Sequence, residues 1–141
     1  MAITRADKYS PTDRKDQIYS DFLSNLNPHP VSGDITRFVN EQAVIRSIKN
    51  LIMTNRGERL YQPTVGSNIR KMLFEPMGSA AGTEIASLIR ETIEQHETRA
   101  KLLDIQVLPQ YEQNRYVVNI TIIIINKSDP VNFNITLTRV R

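Results

Sequence analysis

Apolar and polar residues alternate through the last forty or so positions of the chain. Leu103, Ile105 and Val107 are separated by Asp104 and Gln106, and Tyr116, Val118, Ile120, Ile122 and Ile124 recur at every second position. Val131, Phe133, Ile135 and Leu137 alternate in the same way with Asn132, Asn134, Thr136 and Thr138. A period of two marks a strand with one face on a core and the other exposed. Turns at Glu112–Arg115 and Lys127–Pro130 join the three runs into an antiparallel meander. These turns set Ile120, Ile122 and Ile124 opposite Leu137, Ile135 and Phe133. They also set Leu103, Ile105 and Val107 opposite Ile124, Ile122 and Ile120. A slip of one residue would turn one apolar set to the wrong face, which supports this register.

Upstream the period changes to that of a helix. Val44, Ile45, Ile48, Leu51 and Ile52 form one stripe, with Arg46 and Lys49 off it. Asn40 is placed to cap this helix at its start and Gly57 at its end. Ser67 is placed to cap a short helix through Ile69, Met72 and Leu73, which Pro76 and Gly78 end. A third helix starts near Ser79 or Thr83, carries Ile85, Leu88, Ile89 and Ile93 on one face, and is over by about Thr98. The expected fold is α+β: a three-stranded C-terminal meander on about three helices, with a short strand at Asp34–Val39 able to extend the sheet. Residues 1–30 are polar and broken by Pro11, Pro28 and Pro30, which reads as an N-terminal arm. Residues 31–141 read as one domain.

Composition then narrows the chemistry. The chain has no Cys, so thiol nucleophiles, disulfides and thiolate metal sites are excluded. His29 and His96 are its two histidines, too few for a zinc site, and no Gly-rich phosphate loop is present. No metal or cofactor is expected. A net charge of +3 with scattered basic residues gives no nucleic-acid footprint. The longest apolar run, Ile122–Ile125, is far short of a membrane span, and charges interrupt the first eight residues before a secretory signal can form. Glu58 and Glu75 are the carboxylates worth weighing as a glycosidase pair. Glu58 sits between Arg56 and Arg59, where an ion pair is the simpler reading, and no catalytic residue is assigned.

The second face of the sheet carries Ile123 and Ile125 beside Asn132 and Asn134. Either the arm or a partner must cover it. The last strand has no later segment to pair with, and its outward residues Asn132, Asn134, Thr136 and Thr138 are polar and uncharged. Such an edge can template an incoming strand, unless the arm or the strand ending at Val39 already occupies it.

The segments Ser47–Ile52, Thr54-Asn55-Arg56-Gly57-Glu58-Arg59, Pro63-Thr64-Val65-Gly66-Ser67 and Leu73-Phe74-Glu75-Pro76 occur in that order. Together they resemble the baseplate wedge family of contractile phage tails, which is shared with type VI secretion baseplates and has carried a "lysozyme-like" label. The resemblance centres on Ile45–Pro76 and extends over roughly residues 34–141. It implies a structural sheath initiator in the virion tail baseplate, made in the host cytoplasm. The partners implied are larger wedge proteins, the tail sheath and, as a neighbour, the tail tube. It also implies that Glu75-Pro76 docks on the wedge bundle, with Arg56, Gly57, Glu58 and Arg59 beside it. In the secretion branch an Arg follows the Glu-Pro pair. Here the residue is Met77, which points towards a phage or phage-like system. A small regulatory binding module of similar fold is the alternative, and a cell-wall glycosidase comes third.

Overall fold

A computed structural model describes residues 18–22, 28, 30, 33–125 and 127–139. The elements are β1 (Ser20–Phe22), β2 (Arg37–Val39), α1 (Glu41–Met53), α2 (Ile69–Met72), α3 (Ser79–His96), β3 (Ala100–Gln110), β4 (Arg115–Ile124) and β5 (Pro130–Thr138). A short 3-10 turn, Tyr111–Gln113, joins β3 to β4. The class is the expected α+β, with β3, β4 and β5 in sequential antiparallel order.

One core holds these elements together. The inward residues of β4, from Tyr116 through Val118, Ile120 and Ile122 to Ile124, are all buried. They share a cluster with Val44, Ile48 and Ile52 of α1, with Ile85, Ile89 and Ile93 of α3, and with Ile69 and Leu73. β4 is the central strand, so its apolar face is covered along its whole length. Ile105 and Phe133, on the outer strands, are half-buried and pack against the same cluster. The two cations off the α1 stripe lie over aromatic rings. Arg46 sits 5.8 Å from the centre of Phe38, and Lys49 sits 5.8 Å from that of Phe133.

The register differs from the expected one by even steps. Ile122 faces Val131 and Ile120 faces Phe133, so β5 is slid by four positions against the alternation-based pairing. Ile105 faces Ile120 and Val107 faces Val118, a slide of two for β3. Alternation fixes which face a residue occupies but is blind to an even slip, because that preserves both faces. The β3–β4 turn sits one position earlier than expected, over Tyr111–Asn114, where Asn114 takes the left-handed conformation. The β4–β5 connection is longer than a four-residue turn, and the Lys127 ammonium in it pairs with Glu41 of α1. A bulge between Leu102 and Asp104 reverses the alternation of β3. Leu102 and Ala100 are therefore buried, whereas Leu103, expected inside, is 46% exposed.

Among the described residues, the short strand able to extend the meander pairs elsewhere. β1 and β2 make a separate two-stranded sheet, pairing Ser20 with Val39 and Phe22 with Arg37. Asn40 explains the link to α1. Its backbone φ is +50° and its side chain caps nothing. Its Oδ1 instead accepts from the backbone N–H groups of Ile18 at 3.0 Å and Tyr19 at 3.4 Å, while its own N–H donates to the Tyr19 carbonyl at 2.7 Å. The acceptor expected to cap the helix is thus taken by the returning chain. Most of the arm expected over 1–30, including Leu23 and His29, lies outside the described residues.

Candidate docking surfaces

The segment from Thr54 to Ser67 is a closed loop built on the end of α1. The helix stops at Met53, and Thr54 turns extended, with its hydroxyl donating to the Asn50 carbonyl at 2.7 Å. Gly57, at φ +86°, occupies the left-handed region, but in the turn beyond the helix and not as its cap. Its N–H donates to the Pro63 carbonyl at 2.8 Å. The returning strand is fixed by Ser67, whose N–H donates to the Thr54 carbonyl at 2.8 Å. The Ser67 hydroxyl is occupied by the Ile52 carbonyl at 2.6 Å, so it holds the end of α1 and does not cap the helix that follows.

Two charged residues of the loop have structural partners. Glu58 accepts from the Asn55 backbone N–H at 2.8 Å and from the Asn55 amide at 3.3 Å. It closes its own turn, in place of the ion pair expected with a neighbouring Arg. Arg56 reaches across to α3 and pairs with Glu91 at 2.9 Å, which holds the Glu91 carboxyl below its ordinary range. Arg59 is exposed and makes no ion pair among the described residues. Next to it, Leu60 is 91% and Tyr61 97% exposed. Sequence reasoning passed over these two. Their signal was an apolar pair between Arg59 and Gln62 inside a loop bracketed by glycines.

Glu75 and Pro76 lie beyond α2 and are exposed, as is Phe74 before them. Leu73, buried in the core, anchors this segment from below. No hydrogen bond or ion pair among the described residues joins Glu75 to Arg56 or Arg59. Both elements are exposed, with no such bond between them among the described residues.

The third candidate is the β5 edge. Among the described residues β5 pairs with β4 alone, and Asn132, Asn134, Thr136 and Thr138 are all exposed. Asn134 stands in line with Asn119 and Gln106, giving an amide row across the outer face of the sheet. Beside the edge runs a cavity of about 330 Å³ lined by Ile52, Met53, Asn55, Ile69, Arg70, Leu73, Thr136, Leu137 and Thr138. Apolar side chains of α1 and α2 thus lie beside β5, together with the charged Arg70 of α2. Among the described residues no group of three or more His, Asp or Glu is placed to hold a metal, and no helix is long and apolar enough to cross a membrane.

Residues 39–130 match the family model described as baseplate wedge protein gp25. The chain belongs to this family. The baseplate wedge protein gp25 of Enterobacteria phage T4 is 24% identical over 98 residues, covering 70% of this chain and 74% of the phage protein. A chain of the anti-feeding prophage baseplate is 27% identical with a TM-score of 0.67, covering 79% of this chain and 89% of that one. A chain from Geobacter sulfurreducens named as a putative tail lysozyme has the same TM-score at 22% identity, covering 72% and 92%. At that identity the last shows a shared fold alone. The Ile45–Pro76 motif series falls wholly inside the matched region. The loop after α1 and the segment after α2 both lie in the matched region and carry exposed apolar side chains, Leu60, Tyr61 and Phe74.

Proposed function

We propose that this chain is a structural, non-enzymatic wedge component that docks on larger wedge proteins and starts the tail sheath by accepting a strand at β5. In this reading it sits in the virion tail baseplate near the tube, after synthesis in the host cytoplasm. Domain 31–141 carries the contacts, and of the arm over 1–30 the segment Ser20–Phe22 pairs with β2 of the chain's own fold. Docking uses the Arg56–Arg59 loop and Glu75-Pro76, and strand addition uses the edge bearing Asn132, Asn134, Thr136 and Thr138.

The observation that carries the reading is the open β5 edge. Among the described residues a row of backbone donors and acceptors is unpaired there, the outward side chains carry no charge to repel a strand, and Ile52, Met53 and Ile69 flank it beside Arg70. Successive amides of a strand point to opposite sides, so proline placed at neighbouring positions separates the outer ladder from the inner one. Of Phe133→Pro and Asn134→Pro, the variant whose amide points away from β4 should fold, enter the baseplate and fail to seed sheath. Normal sheath growth from a folded variant of that kind contradicts strand addition.

A further inference from the structure

We propose that Leu60 and Tyr61 form the apolar anchor of the docking loop, inserting into an apolar pocket with acidic groups at its rim on a larger wedge protein. This rests on the docking reading above and names the chemistry of its contact. Single exposed apolar residues are ordinary on protein surfaces. Here two large ones are adjacent, at 91% and 97% exposure, on a loop whose backbone is already fixed. The Gly57 N–H donates to the Pro63 carbonyl at 2.8 Å, Gln62 N–H to Arg59 at 3.3 Å and Val65 N–H to Gln62 at 3.1 Å, so the pair is held from both sides. The Arg56–Glu91 ion pair ties the same loop to α3. A loop whose backbone is already held loses less entropy on binding, and Tyr in a desolvated pocket is a frequent binding hot spot.

The charge pattern defines the rim. Glu58 is used up within its turn and Arg56 on Glu91, which leaves Arg59, adjoining Leu60, as the loop cation with no ion pair among the described residues. A carboxylate at the edge of the partner's pocket is the complementary group.

The test measures affinity of the full chain for the larger wedge proteins of the same contractile tail, in low and in high salt. Leu60→Ser combined with Tyr61→Ser should leave the melting temperature unchanged, because both side chains are exposed. It should weaken binding at least tenfold at both salt concentrations, with Tyr61→Phe close to wild type. Arg59→Ala should weaken binding in low salt only. Binding of the double-serine variant within twofold of wild type overturns the anchor. If Glu75→Ala with Arg59→Ala abolishes that same binding, docking stands and the anchor alone falls. If wild-type protein does not bind the wedge proteins, the docking reading itself is overturned. A double-serine variant that loses only self-association would assign the pair to a second copy of this chain and also overturn the proposal.

Discussion

Ser67 donates its hydroxyl to the Ile52 carbonyl at 2.6 Å, joining the end of α1 to the strand that returns from the exposed loop. Both residues are buried, at 1% and 2% exposure. The last carbonyls of a helix lack intrahelical partners, and this side chain supplies one across fifteen positions of sequence. Ser67→Ala should cost about 1–3 kcal/mol, because it leaves a buried acceptor unpaired. Ser67→Thr should retain more stability than Ala if its hydroxyl reaches the same carbonyl. Chemical denaturation of the three proteins checks this.

Gly66 should tolerate no side chain. Its φ is +126°, and a Cβ there would lie 2.6 Å from the Thr54 backbone carbonyl oxygen. Backbone cannot swing aside as a flexible side chain can. Gly66→Ala should therefore destabilise, by more than the ~1 kcal/mol that a Gly→Ala change gains at a site whose backbone suits alanine. Gly57, also at positive φ but with open space around its Cβ position, should be milder when changed to Asn than to Ala. Thermal melting of the variants orders the two sites.

Glu97 and Arg99 should make stability fall in acid. The Glu97 carboxylate is 4% exposed and takes the Arg99 guanidinium at 2.6 and 2.8 Å. Burial pushes its pKa up, but hydrogen bonds from Arg99 and Ser47 outweigh that, and the net displacement is below the ordinary 4.5. A lowered folded-state pKa means that the contribution is fully present above pH 4.5 and is lost as pH falls through the folded value. Glu97→Gln should cost about 1–3 kcal/mol at pH 7, and the gap to wild type should narrow below pH 4.5. Arg99 also lies over the Tyr19 ring at 5.6 Å, so the same variant should loosen the segment before β1, seen as faster amide exchange at Tyr19. Unfolding free energies at several pH values provide the check.

Ile122 occupies the centre of the sheet with no exposure. Ile122→Ala should cost roughly 2–5 kcal/mol, measured by denaturant unfolding.

The face of each β4 residue was legible in the sequence, because burial against α1 and α3 imposes strict alternation on that strand. Its partner was not, since Ile122 opposite Val131 and Ile122 opposite Ile135 bury the same face. The Leu103 bulge left no sign, as Leu102 and Leu103 are equally apolar. In the loop after α1, the glycines and the Arg-rich turn stood out in the sequence. The links Arg56–Glu91 and Ser67–Ile52 did not, because they join residues far apart in the chain. Asn40 read as a helix cap from its position, but only the fold reveals that the backbone of Ile18 and Tyr19 competes for its oxygen.

Strand addition at β5 can be measured directly because the chain contains no cysteine. A single thiol at Thr136, exposed on β5, and a control thiol at Gln106, exposed on β3 at the opposite side of the sheet, can each carry a short cross-linker in assembled tails. The account predicts efficient cross-linking of position 136 to the first ring of sheath subunits and little from position 106. Equal yields from both positions, or no sheath product from 136 in tails with assembled sheath, would contradict it.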